Sequence, residues 1–203
     1  MPIVSEEYKE MKRQEILQSA HACFAKKGFE ASTVDDIVSH SGISKGAIYN
    51  YFKSKDEIYL ALMERQTNES GTKFTREIAK CKSALDKLNF LIDAYLNNDP
   101  NDEENKDQAL VHFEFRLYST RKPELKKALT DRYQGFFVNL LTSIIEEGQA
   151  TGEFNKGIIP KRYADIFWAM VNGVTLQATI LNEYHYKAIL KEMQTMFIEK
   201  LKA

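Results

Sequence analysis

The 203-residue sequence predicts an all-α protein, an N-terminal three-helix unit followed by a larger helical unit. Three observations carry this expectation. Nearly every long segment places its apolar residues at helical spacing rather than in alternation. Capping boxes and glycine stops cut that pattern into separate helices. The composition, 43% hydrophobic and 28% charged with only 4 Pro and 9 Gly, is that of a globular chain rich in helix formers.

The elements follow in order. Ile16, Ala20 and Phe24 recur at i, i+4 and i+8 with Leu17 beside them, and Lys26-Lys27-Gly28 adds a basic last turn and a glycine stop, so the first helix ends near Lys27. Thr33-Val34-Asp35-Asp36 has the form of a capping box opening a short helix that carries Val34, Ile37 and Val38 and breaks at Ser41-Gly42. Ser44 caps another short helix, Lys45 to about Tyr51, with Ile48 and Phe52 turned inward. Ser54-Lys55-Asp56-Glu57 is an S-x-x-E box opening a longer helix through Ile58, Ala61 and Leu62, which Ser70-Gly71 is expected to kink or end. The first domain is placed at residues 1–55 and the second at 56–203, with this fourth helix bridging them. Further helices are expected over Ser83 to Asn97, Lys106 to Thr120, Pro123 to Thr151, Lys161 to Leu181 and Tyr186 to Lys202. The polar stretch from Asn97 to Asn105 lacks the spacing and glycine of a calcium loop and is expected to be a solvated connection.

Charge and cysteines narrow the function. Lys and Arg number 28 against 29 Asp and Glu, so the net charge of −1 provides no whole-molecule attraction to nucleic acid, and any DNA-binding surface must be local. Cys23 and Cys81 form no CxxC pair and have no zinc-like His spacing, as expected of free thiols in a reducing cytosol. Met1-Pro2-Ile3-Val4-Ser5-Glu6-Glu7 does not read as a secretory leader, and the apolar run from Ile166 to Val171 is far too short to span a bilayer. The expected place is the cytoplasm, with no membrane partner, no metal and no cofactor.

One segment carries chemistry. From Thr33 to Lys55 two short helices are joined by a Gly-containing turn, the length and order of a DNA-binding helix-turn-helix. No acidic residue lies between Asp36 and Asp56, while Lys45, Lys53 and Lys55 do. By charge alone this window also fits an ordinary solvated hairpin. Tyr49, Asn50 and Tyr51 add side chains that can hydrogen-bond phosphates or base edges, and Gly46-Ala47 lets a helix approach a groove closely.

The run Gly28-Phe29, Thr33-Val34, Ile37, Ser41-Gly42-Ile43-Ser44-Lys45-Gly46-Ala47-Ile48-Tyr49-Asn50-Tyr51-Phe52, Ser54-Lys55 and Glu57 closely resembles the N-terminal domain of the TetR family of transcriptional repressors, over about residues 10–62. The resemblance implies that Lys45, Gly46, Ala47, Tyr49 and Asn50 enter the major groove, with Lys45 and Asn50 best suited to base edges. It further implies phosphate contacts from Thr33, Ser44, Tyr49, Tyr51 and Lys55. Ile16, Ala20, Phe24, Phe29, Ile37, Val38, Ile43, Ile48 and Phe52 are the expected core of this domain.

A weaker resemblance covers Ile145 to Phe154, similar to the turn before the last two helices of TetR-like regulators. It implies that Lys161 to Leu181 and Tyr186 to Lys202 pair with a second subunit, and that a small-molecule effector binds among the preceding helices. Helix Lys106 to Thr120 is the expected place for it, because Leu110, Val111, Phe113, Phe115, Leu117 and Tyr118 make it apolar nearly all round. Leu110, Glu114, Leu117, Tyr118 and Arg121 share one face. A buried Glu114 needs a partner, either an arginine such as Arg132 or, with Tyr118, a cationic or hydrogen-bonding effector. Phe90, Tyr95, Tyr133, Phe137, Trp168 and Asn172 are the remaining candidate lining, and plain core is the competing role for the aromatics.

The function implied is a homodimeric repressor that holds a palindromic double-stranded operator and releases it on binding an unidentified effector. Two alternatives stand beside it: an architectural DNA-binding protein of the same fold without an effector, and an all-helical enzyme. The second lacks metal-site and P-loop signatures, since H-E-x-x-H, E-x-x-H and G-x-x-x-x-G-K-[ST] are all absent.

Overall fold

The computed structural model describes residues 5–181 and 184–202. Met1 to Val4, part of the stretch that does not read as a leader, lie outside the described residues. Among those described, every regular element is helical: α1 (Glu6–Lys27), α2 (Val34–Ser41), α3 (Lys45–Tyr49), α4 (Lys55–Ile78), α5 (Ala84–Leu96), α6 (Glu103–Ser119), α7 (Pro123–Arg132), a π-helical segment (Tyr133–Val138), α8 (Asn139–Thr151), α9 (Pro160–Ile180) and α10 (Tyr186–Lys202). The chain divides into two compact units inside α4, between Thr72 and Lys73.

The first unit is organised by aromatic packing. Phe24, Phe29 and Tyr59 form a mutual cluster with ring centroids 5.6, 5.4 and 5.2 Å apart. Ile16, Leu17, Ala20, Ile37, Ile48 and Ile58 are fully buried. Most of the expected core is therefore inside, but Val38 and Ile43 are only half-buried. Both flank the tight turn at Gly42, where the backbone adopts a left-handed φ of 70° and the chain stays near the surface. Ser70-Gly71 neither ends nor interrupts α4, and Gly71 is buried. A single glycine costs a helix only about 1 kcal/mol, which neighbouring residues readily offset.

In the second unit α5, α8, α9 and α10 enclose a core that includes Leu88, Ile92, Leu141, Ile144, Phe167, Trp168, Leu190 and Phe197. The expected single helix from Pro123 to Thr151 is two helices joined by the π-helical segment. A one-residue widening leaves both flanking stretches with ordinary helical periodicity, so the pattern of apolar residues does not disclose it. The polar stretch from Asn97 to Asn105 is less solvated than expected. Asp99 is buried, accepts from the Asn101 backbone and side-chain amides at 2.9 and 2.8 Å, and lies 3.4 Å from the Lys187 ammonium.

The turn after α8 is a tightly built junction. Glu153 reaches the start of α5, where its carboxylate accepts from the Ala84 and Leu85 amides at 3.2 and 3.1 Å, capping that helix from a distance in sequence. Gln149 donates to the carbonyls of Asn155 and Ile158 at 2.8 and 3.0 Å. Phe154 is buried over Gly148, where an added Cβ would lie 2.1 Å from the ring. Gly148→Ala is therefore expected to destabilise the protein by about 1–3 kcal/mol, read as a lower denaturation midpoint.

His112 on α6 is half-buried. Burial, reinforced by the positive charges of Arg132 and Arg116, pushes its pKa down to about 3. An unfolded imidazole titrates near 6.5, so as pH falls the unfolded chain takes up this proton first. The stability contributed by neutral His112 is thus present above pH 6.5 and lost as pH falls towards 3, with a slope of about 1.4 kcal/mol per pH unit. The carboxyls of Asp36, Glu77 and Glu153 have lowered folded pKa values, and their contributions are lost only as pH falls below the ordinary values of 3.8 for Asp36 and 4.5 for the glutamates. Urea midpoints measured from about pH 6.5 to 5 are expected to fall in the native protein and to flatten in His112→Gln.

Candidate functional site

The candidate nucleic-acid surface grows from two short helices that depend on their ends. Thr33 and Asp36 complete a reciprocal capping box: Thr33 Oγ1 accepts from the Asp36 amide at 3.2 Å, and the Asp36 carboxylate accepts from the Thr33 amide at 2.8 Å. Ser41 Oγ accepts from the Ile43 amide at 3.1 Å inside the turn. Ser44 Oγ then accepts from the Ala47 amide at 3.3 Å and starts α3. Ile48 and Phe52 anchor α3 in the core.

That anchoring leaves Ser44, Lys45, Gly46, Tyr49 and Asn50 exposed and Ala47 and Tyr51 half-buried. A Cβ at Gly46 would meet nothing within 4 Å. Packing within this unit therefore does not require glycine there.

The charges are arranged differently from the sequence window. Lys45 Nζ lies 2.9 Å from the Asp35 carboxylate, and Lys27 Nζ lies 2.5 Å from Asp36. The Lys27 hydrogen bond and those from Thr33 hold the Asp36 carboxyl at a pKa of about 2. The window without acids in sequence is thus bordered in space by the two acids of the first turn of α2. Two expected phosphate contacts are also committed elsewhere. Lys55 Nζ donates to the carbonyls of Phe29, Glu30 and Ser32 at 2.6, 3.0 and 2.7 Å and lies 4.5 Å above the Phe29 ring, so it ties the loop after α1 to the start of α4. The Thr33 hydroxyl donates to Asp36 at 2.8 Å.

In the second unit the structure brings Tyr95, Phe137, Trp168 and Asn172 together. Trp168 lies 5.6 Å from Tyr95 and 5.1 Å from Phe137 between ring centroids, and its indole N–H donates to the Phe137 carbonyl at 2.9 Å. Asn172 donates to the Trp168 carbonyl at 2.7 Å and accepts from the Arg116 guanidinium at 3.0 Å. Tyr133 is half-buried, and burial together with the nearby Asp165 carboxylate raises its pKa. Phe90 stacks instead on Phe74 at 5.3 Å. Leu110, Phe113 and Tyr118 are half-buried, and the Tyr118 hydroxyl accepts from Lys122.

The expected buried face of α6 is not observed. Glu114, Leu117 and Arg121 are exposed, Leu117 by 72%, and the buried positions are Val111, Phe115 and Ser119. A helix that is apolar nearly all round does not select its own inner face, so packing against α9 and α7 decides it. The premise of a buried Glu114 therefore falls, and with it the argument for a cationic effector. Sequence reasoning gave Arg116 no place in the candidate site and considered Arg132 only as a partner for Glu114; the structure half-buries Arg116 on α6 against Asn172 of α9. Among the described residues no group of three or more His, Cys, Asp or Glu side chains could hold a metal ion, and no helix is long and apolar enough to cross a membrane.

Comparison with known proteins follows the same division of the chain. Residues 16–62 match the pattern of bacterial regulatory proteins of the tetR family, and residues 84–201 match the C-terminal region of BetI-type transcriptional repressors. The chain is 30% identical over 182 residues to the uncharacterised HTH-type transcriptional regulator YfiR of Bacillus subtilis, spanning 90% of this chain and 87% of the relative. Its fold is similar to that of FadR from Bacillus subtilis solved with stearoyl-CoA, with a TM-score of 0.79 at 22% identity over 92% of this chain and 98% of the other. It is equally similar to a transcriptional regulator of Saccharomonospora viridis solved with choline, with a TM-score of 0.79 at 22% identity over 94% and 96%. With a family pattern covering each unit and a relative aligned along most of its length, this all-α chain with an N-terminal helix-turn-helix belongs to the TetR family of transcriptional regulators.

Proposed function

We propose that this ligand-responsive repressor works in the cytoplasm as a homodimer, holding a palindromic operator through α3 of each subunit and leaving it when an effector binds the second unit. The observation that carries the DNA-binding part is the exposed surface of α3. Ser44, Lys45, Gly46, Tyr49 and Asn50 are turned outward by the burial of Ile48 and Phe52. Lys45 and Asn50 read base edges, while Ser44, Tyr49 and Tyr51 hold phosphates. Ala47 and Gly46 keep the helix slim, and the open space around Gly46 favours a role in approaching DNA over one in folding. Asp35 competes with DNA for Lys45, so docking exchanges one ion pair for another. Lys55 acts by fixing the loop that precedes α2, and Thr33 by capping α2.

Dimerisation is supported by two exposed stripes. On α9, Ile166, Ala169, Gly173 and Ile180 follow one another at helical spacing and are exposed, Ile166 by 43% and Ile180 by 63%. On α10, Ala188 and Met196 are exposed, the latter by 61%. A lone short helix reads too few base pairs to find a site in a genome, and paired half-sites about 34–36 Å apart, or multiples of that distance, fit two such helices.

Effector control needs only a difference in affinity. An effector that prefers the conformation with mismatched recognition helices lowers operator affinity by the same coupling free energy, typically about 1–3 kcal/mol. The chain passes from the first unit to the second through α4, which makes that helix the lever. The related folds that hold stearoyl-CoA and choline carry ligands of opposite charge, so the effector's charge is set by the residues of each chain rather than by the fold.

The decisive experiment is selection of bound sequences from a random duplex library followed by gel shift at physiological salt. A palindrome bound by two subunits is expected, and salt-sensitive binding without sequence preference would reject the regulator. With the selected operator, Lys45→Ala is expected to lose about 1–3 kcal/mol of binding, and Gly46→Leu to weaken binding while leaving the unfolding midpoint within about 1 kcal/mol of the native protein. Replacing Ile180 and Met196 together with Glu is expected to shift the protein to monomers in sedimentation and to abolish cooperative operator binding.

A further inference from the structure

Asp35 and Asp36 are neighbours in the first turn of α2, and folding uses them differently. The Asp36 carboxylate is engaged on every side: it accepts from the Thr33 amide and hydroxyl, each at 2.8 Å, and from the Lys27 ammonium at 2.5 Å. The Asp35 carboxylate takes no part in the cap. Among the described residues its one side-chain partner is Lys45, whose Nζ lies 2.9 Å from each of its two oxygens. Lys45 is the first residue of α3 and belongs to its outward set, so its partner shares that surface. Both stay open to solvent, Lys45 by 51% of its side chain and Asp35 by 69%. Exposed pairs of this kind add little to stability.

An acid at this place opposes DNA unless a donor meets it. When Lys45 turns to a phosphate, Asp35 is left unpaired beside a dense row of negative charge and is repelled. The major-groove edge of one kind of base pair removes that penalty. A guanine–cytosine pair presents the N7 and O6 acceptors of guanine next to the N4 amino group of cytosine. O6 and N4 are hydrogen-bonded to each other, about 2.9 Å apart, and the second N–H of N4 points into the groove. The Lys45 ammonium and the Asp35 oxygens are 2.9 Å apart as well. The protein therefore offers a donor and an acceptor side by side, at the spacing of the acceptor and donor they would meet. An ammonium has three N–H bonds, so one remains on Asp35 while the others reach O6 and N7, and the carboxylate keeps lone pairs for N4. An adenine–thymine pair places its amino donor between its two acceptors, so the ammonium finds only one of them beside the carboxylate's donor.

We propose that Asp35 and Lys45 together read one guanine–cytosine pair in each half-site, Lys45 donating to guanine and Asp35 accepting from the cytosine amino group. Asp35 is then a specificity-determining residue and not only a competitor for Lys45. It weakens complexes with other sequences through repulsion and is accommodated where cytosine supplies the donor. This rests on the docking of α3 in the major groove and adds the base pair read and the role of an acid on α2.

The test uses the whole protein, the operator recovered from the random duplex library and a scrambled duplex of equal length. Each operator base pair is replaced in turn, symmetrically in both half-sites. For the native protein, replacing one particular guanine–cytosine pair is expected to lower affinity at least about tenfold. Asp35→Ala and Lys45→Ala are both expected to reduce that loss to about threefold or less at the same position, with preferences elsewhere unchanged. Asp35→Ala is also expected to bind the scrambled duplex about fivefold more tightly, whereas Lys45→Ala binds it more weakly. Asp35→Asn keeps an acceptor without the charge and is expected to retain part of the preference at that position. The melting temperature of each variant is expected to stay within about 4 °C of the native value. Equal tightening of operator and scrambled DNA by Asp35→Ala, with every base preference intact, would show a general charge effect and overturn the inference. Relaxation by the two alanine variants at different positions, or an operator-to-scrambled ratio that Asp35→Ala leaves unchanged, would overturn it too. A native protein that selects no palindrome would remove the DNA-binding reading together with it, whereas one that selects a palindrome upholds that reading whatever Asp35 does.

Discussion

A five-residue helix has no stability of its own in water, because the cost of its first turn is never repaid by further turns. The first unit is arranged around that constraint. Ser44 supplies the missing acceptor at the start of α3, and Ile48 and Phe52 fasten its inner side to the core. The core is held in turn by the Phe24, Phe29 and Tyr59 rings, which join α1, the loop after it and α4. Lys55 completes the junction by collecting three carbonyls of that loop, groups that would otherwise need water. Because neighbours hold α3 so completely, its outward residues are released from structural duty and are available for recognition.

The same separation between inner support and outer chemistry explains the acids around α3. Asp35 and Asp36 belong to the first turn of α2, where carboxylates are favoured by the helix dipole and Asp36 completes the cap. Folding brings Lys45 and Lys27 beside them. Exposed pairs of this kind are worth little to stability and are easily exchanged for other charges. They moderate the positive face of a protein whose net charge is close to zero, so attraction to DNA stays local.

Besides its surface charges, the second unit holds two half-buried guanidinium groups. Arg116 and Arg132 stand against aromatic rings and an amide, next to a histidine that the surroundings keep neutral. Such an arrangement costs desolvation, which hydrogen bonds such as that from Arg116 to Asn172 partly offset. The π-helical segment lies within this region and carries Tyr133 and Phe137. Widened turns of this type often occur where side chains are re-aimed for function.

The sequence by itself determined the helical class, the capping residues Thr33, Ser44 and Ser54, the stops at Gly28 and Gly42, and the helix-turn-helix with its outward residues. These are local properties, set by backbone conformation, side-chain reach of three or four residues and a narrow apolar stripe, and a linear pattern records them. Tertiary structure alone decided the pairing of Lys45 with Asp35, the use of Lys55 as a tie, the capping of α5 by Glu153 and the turning of Glu114 away from the interior. Each depends on groups far apart in sequence or, for α6, on which side of a nearly uniformly apolar helix meets its neighbours. Periodicity selects a face only when the faces differ; where they do not, packing against the rest of the unit makes the choice.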